Sequence, residues 1–233
     1  MKKLIAIMSI VAGVTSICGA QGYVFFVNSA AAATHISTNS AVGGIATGQT
    51  TAYTSLANAY YYALFSSAAA TTVGGTTGGA LGTNGVYAFN DSANWTAVGV
   101  NGGYATNYTL GRMQPAGPLN ADSSTSIANP SAGGTAQFLV IGWSGNIGTT
   151  WQNVQSYLAN PTVVGWVGES LVSGVQTLGN GGSIAPSNVF GSAAPFIGGF
   201  TLGQVAPSVV PEPGTLALAA LGGASLLMFR RKK

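Results

Sequence analysis

The chain has 233 residues, of which 47% are hydrophobic and 5% charged, enough for one ordinary domain plus terminal signals. Its formal charge of +3 does not mark a nucleic-acid partner, because Lys2 and Lys3 open the chain and Arg230, Arg231, Lys232 and Lys233 close it. Only Arg112 remains inside, against Asp91, Asp122, Glu169 and Glu212, so there is no basic stripe to track a phosphate backbone and no nucleic acid is expected to bind.

The opening MKKLIAIMSIVAGVTSICGAQG has a basic start, an apolar stretch from Leu4 to Ile17 and small residues at Gly19 and Ala20. That is the layout of a secretory signal peptide, residues 1–20, with cleavage between Ala20 and Gln21. A permanent membrane helix fits less well, since about 14 apolar residues fall short of the roughly 20 that span a bilayer comfortably. Acylation of Cys18 is a further alternative, opposed by the bulky Ile17 before it. Cys18 is the only cysteine, so cleavage leaves a domain without disulfides, thiol chemistry or cysteine metal ligands.

From residue 21 to 205 the composition is dominated by Gly, Ala, Ser, Thr and Asn, punctuated by seven short apolar runs. They are YVFFV (23–27), AYYYALF (59–65), VYAF (86–89), WTAVGV (95–100), AQFLVIGW (136–143), TVVGWV (162–167) and FIGGFTL (196–202). Their length, their β-branched and aromatic content and their Gly, Asn and Pro borders predict strands, and together an all-β fold: an antiparallel β-sandwich. In AQFLVIGW, Phe138 and Val140 point to one face and Leu139, Ile141 and Trp143 to the other. A strand apolar on both faces belongs in the centre, covered by the second sheet on one side and by loops or a helix on the other. The one short helix is predicted in TTWQNVQSYLANP, where Trp151, Val154 and Leu158 recur at helical spacing, Thr149 or Thr150 can cap the start and Asn160 before Pro161 ends it. The Gly/Ser/Thr-rich stretches 68–85 and 117–134 are predicted long loops.

Catalytic groups are scarce in this body. His35 is the sole histidine, and GWSGN at 142–146 is not a G-x-S-x-G elbow. Asp91, Asp122 and Glu169 could form a glycosidase pair only if two of them met about 5–9.5 Å apart, and they lie in separate segments without a flanking signature. NDSAN and NADSS lack the spacing and acidic count of a calcium loop and read as Asx turns. The expectation is therefore a protein that is not an enzyme and holds neither cofactor nor metal. Aromatic side chains offer a different reading, a carbohydrate-binding module, because their faces can stack on sugar C–H surfaces. Trp143 and Trp151 are assigned to the core, which leaves Trp95 and Tyr104 as the tentative glycan contacts.

After a linker at 206–210, the chain ends VPEPGTLALAALGGASLLMFRRKK. Gly214 to Phe229 carry no charge and make about 24 Å of helix at about 1.5 Å per residue. That span is marginal for a hydrocarbon core of about 30 Å, made workable by snorkelling Arg and Lys side chains. The cluster Arg230, Arg231, Lys232 and Lys233 would stay cytoplasmic and leave the domain outside. Pro211, Glu212 and Pro213, then the apolar helix, then the basic end resemble the PEP-CTERM sorting signal of Gram-negative bacteria. The segments QGYVFFVNSA, AVGVNGGY and SNVFG resemble, more loosely, secreted PEP-CTERM proteins of Verrucomicrobia.

What the resemblance implies is recognition by an exosortase, a membrane-embedded transpeptidase, with residues 211–233 as the signal and cleavage near the triplet. The protein would be anchored in the inner membrane before processing and reside afterwards in the cell envelope or the extracellular matrix, with exopolysaccharide as a further partner. Two prolines suit presentation of an extended peptide, because they deny the segment a regular helix or sheet.

Overall fold

The computed structural model describes residues 21–28, 32–39, 59–99, 104–107, 111–117, 119–120, 123–128, 130–207 and 221–222. Its organising element is the longest strand, β8 (Thr135–Ser144), in which nine of ten residues are buried. A strand with two apolar faces needs cover on both, and β8 has it. The strand β3 (Tyr60–Ser67) runs antiparallel beside it in register from Tyr60 opposite Ser144 to Ser67 opposite Gln137. On its other edge lies β9 (Gly165–Glu169), also antiparallel, with Gly142 opposite Gly168.

Around this centre the large sheet adds β2 (Ser37–Thr38), β5 (Tyr104–Asn107), β6 (Met113–Pro115) and β12 (Thr201–Val205), in the order β2-β12-β9-β8-β3-β5-β6. Two short strands, β4 (Thr96–Ala97) and β10 (Gln176–Thr177), pair with β3 and β8 off this path. A second sheet has three strands, with β1 (Gly22–Phe25) between β7 (Thr125–Ile127) and β11 (Ser187–Asn188).

The core between the two sheets joins Val24, Phe26 and Ile127 to Tyr62, Leu64, Phe138 and Val140. Each such side chain contributes about 1.5–3 kcal/mol by leaving water. On the opposite face of the large sheet, Phe65, Leu139, Ile141, Trp143 and Val167 form a second cluster. Its cover comes from Val73, Tyr87, Phe89 and Trp95 of the segment after β3, and from the helix α1 (Trp151–Ala159). Among the described residues the domain 21–205 is thus mostly β with one short α-helix, and the predicted division of β8 between two covered faces is what is observed.

Helix α1 follows the local chemistry expected of it. Thr150 caps it reciprocally with Asn153: the Asn153 amide donates to the Thr150 hydroxyl at 3.4 Å, and the Thr150 amide donates to Asn153 Oδ1 at 3.1 Å. Val154 and Tyr157 are its buried residues.

Three expectations change. Not all pairing is antiparallel, since β1 with β11 and β12 with β2 run parallel. VYAF is no strand but leads into a 3-10 turn, Ala88–Asn90, because its Tyr87, Ala88 and Phe89 serve as cover over the sheet rather than joining it. The stretch 117–134, read as a loop, contains β7. The stretch 68–85 holds no strand or helix of its own, as expected of a loop, but it is pinned by bridges of Gly78 to Leu171 and of Leu81 to Gly168. It lies so close to the chain after β9 that a Cβ on Gly78 would meet the Ser170 carbonyl at 2.8 Å. The signal helix 1–20 and the membrane helix 214–229 lie outside the described residues, except Leu221 and Gly222, which are helical. Among the described residues no helix is long and apolar enough to cross a membrane.

Candidate functional site

The folded body ends at β12. Its last residue, Val205, is buried, and its carbonyl accepts a hydrogen bond from the Tyr157 hydroxyl of α1 at 3.2 Å. Beyond Val205 comes exposed Ala206. The five residues 206–210 reach at most about 17 Å when extended. A segment beginning at Pro211 therefore starts within that reach of the end of β12. Pro211, Glu212, Pro213 and Arg230, Arg231, Lys232 and Lys233 themselves lie outside the described residues.

The most unusual ionisable group of the body is Glu169, at the end of β9. Here β12 leaves the edge of β9 and the segment 79–82 takes over: the amide of Gly82 donates to Val167 at 2.9 Å and that of Glu169 to Ala80 at 2.8 Å. Period-two alternation puts Glu169 on the same face as Val167, under the covering segment, and it is 2% exposed. Its Oε2 accepts from the Ala88 amide at 2.7 Å, and its Oε1 is buried without a hydrogen-bond partner. Burial pushes its pKa up to about 8, while the Ala88 and Ala80 backbones act more weakly in the other direction. Tyr87 lies beside it, its phenol raised first by burial and then by the charge of Glu169. The Tyr87 hydroxyl is committed to the Gly82 carbonyl at 2.7 Å. A cavity of about 290 Å³ opens nearby, lined by Gly79, Leu81, Glu169, Leu171, Phe200 and Thr201 among others, with no second carboxylate in its wall among the described residues.

Asp91 and His35 make contacts of their own. One carboxylate oxygen of Asp91 accepts from Asn94 Nδ2 in its own turn at 2.8 Å, and the other accepts from the distant Gly74 amide at 3.1 Å. The expected Asx turn, in which the side chain takes the amide two residues on, is replaced by this bridge between two segments. His35 is half-buried, with Nε2 buried and unbonded, and Gly111 packs against its side chain. Asp122 lies outside the described residues. Among the described residues no three His, Cys, Asp or Glu side chains gather as a metal site would require.

The aromatic candidates fare differently from one another. Trp143 is fully buried and donates from Nε1 to the Gly148 carbonyl at 2.8 Å. Trp151 is half-buried, stacked on Phe89 with centroids 6.1 Å apart and edge-on to Phe65 at 5.9 Å. Trp95 corrects the expectation of an exposed ring: it is 2% exposed and donates to the Thr72 carbonyl at 3.0 Å. It is held inside because the chain after β3 folds back over the sheet and needs a large side chain beneath it. Tyr104 is half-buried on the same cluster, its phenol pKa raised by burial, with the Trp151 side chain acting in the other direction. The two rings therefore share a cluster but no exposed stacking surface.

Sequence reasoning passed over the burial of Glu169. The signal available was its phase with Val167 in an apolar strand, which places a carboxylate on a covered face.

One protein-family model matches the chain, the PEP-CTERM protein-sorting motif, over residues 209–232. No match was found among curated proteins or among solved structures. The matched segment contains the triplet, the apolar run and Arg230 to Lys232, and it begins four residues after the end of β12. It implies export and processing by an exosortase.

Proposed function

We propose that this chain, which carries the PEP-CTERM sorting motif, is an exported, non-enzymatic protein of the cell envelope or extracellular matrix, delivered there by an exosortase. The observation that carries the reading is the match at residues 209–232, which begins four residues after β12 in the chain. Each part of the signal has a physical task. The apolar run 214–229 holds the precursor in the bilayer, the four cations oppose its translocation, and Pro211 and Pro213 keep the peptide around Glu212 extended for cleavage. The short linker 206–210 limits how far the scissile region can lie from the domain. What supports the non-enzymatic part is that both Asp91 oxygens hold local structure and that, among the described residues, the cavity wall beside Glu169 carries no second acid.

Replacement of Pro211, Glu212 and Pro213 together by alanine tests the sorting. In an exosortase-bearing host, mass spectrometry of the wild-type C-terminus is expected to show loss of the apolar run, and the variant is expected to keep it and stay in the membrane fraction. Identical termini and identical location in the two proteins would refute the assignment.

A further inference from the structure

The signal-peptide reading places the new N-terminus at a residue with its own chemistry. Gln21 is exposed, whereas its neighbour Gly22 is buried and opens β1, opposite Ile127. Tyr23 exchanges two backbone hydrogen bonds with Gly179, at 3.1 and 2.9 Å, and a Cβ on Gly22 would strike Leu178. Because β1 is the middle strand of its sheet, the chain is fixed from Gly22 onward while Gln21 projects from it. The fold thus begins one residue after the bond at which the leader is expected to be cut.

We propose that Gln21 becomes a pyroglutamate cap on the exported protein, a proposal that rests on cleavage between Ala20 and Gln21. The freed α-amine of Gln21 attacks its own side-chain amide carbon, Cδ. A bond forms between the α-nitrogen and Cδ, the bond from Cδ to Nε2 breaks, and the departing nitrogen leaves as ammonia with the proton lost by the amine. The product is a five-membered lactam, and no oxidant, reductant or second substrate enters the balance. The α-amine titrates at about 7.7–8.0, so a reactive neutral fraction exists near neutral pH. Two features of the structure favour the step. The side chain that must fold back lies outside the sheet in solvent, and the residue after it is anchored, so the amine cannot be drawn into a strand. Cyclisation removes the terminal positive charge, as any cap of the amine does. It also leaves no free amine for an aminopeptidase at the edge of the central strand.

The test uses the full chain exported from a Gram-negative host, with free amines labelled on the intact protein before digestion. The N-terminal peptide is expected to start at residue 21, to carry no label and to be lighter than its Gln form by one ammonia. A peptide starting at Gln21 with a labelled amine would overturn the cap while leaving the cleavage site standing. A peptide starting anywhere else would overturn the cleavage reading, and the cap with it. The Gln21→Ser variant separates the cap from other blocking groups. It is expected to start at the same position with a labelled amine, and a blocked terminus in that variant would refute an origin in the glutamine side chain.

Discussion

At the scale of single residues, Glu169 couples stability to pH. Its pKa rises from the ordinary 4.5 to about 8 because its carboxylate is stripped of water and one oxygen has no partner. The folded state therefore binds a proton that the unfolded state has already released across that interval. The stability this group confers is complete below the unfolded value and is lost as pH rises to the folded one, with a slope of at most about 1.4 kcal/mol per pH unit. Glu169→Gln keeps an acceptor for the Ala88 amide and removes the titration. Urea unfolding at about pH 5 and about pH 8 is expected to show the wild type weakening more than the variant. Equal losses in the two proteins would mean that Glu169 is ionised at neutral pH.

At the scale of elements, β8 carries the fold because its two faces serve two clusters. Phe138 is fully buried in the core between the sheets. Phe138→Ala is expected to cost about 3–5 kcal/mol, a large part of the roughly 5–15 kcal/mol available to a domain. Leu171, at 61% exposure, is the matched control, and Leu171→Ala is expected to change stability by no more than about 0.5 kcal/mol. Thermal unfolding of the two variants checks both values, and similar melting temperatures would remove β8 from its central role. Legibility also divides by element. The alternation of AQFLVIGW and the Thr150, Asn160 and Pro161 boundaries of α1 are local signals, and both elements form where those signals lie. VYAF has the residues of a strand, but Glu169 accepts from the Ala88 amide and its apolar side chains are needed as cover, so it turns instead.

At the scale of the whole molecule, stability rests on packing without covalent cross-links. The only cysteine, Cys18, falls in the segment expected to be removed. A reducing agent is therefore expected to leave the melting temperature of the processed protein unchanged, and a clear shift would show that Cys18 persists and links chains. By itself the sequence determined the PEP-CTERM sorting signal of this protein. Such a signal is read as a linear peptide, so the order and spacing of its parts are its function. It also determined the central strand and the helix, whose periodicities are local. Only the tertiary structure decided which side chains are available for chemistry. Trp95 was a candidate glycan contact and Glu169 is of a type that favours the surface, yet both are buried because the chain following β3 returns over the sheet. That return depends on pairings such as Leu81 with Gly168, between residues far apart in the chain. Contacts at that separation form when the apolar face of the sheet is covered as a whole, and no short stretch of sequence encodes them.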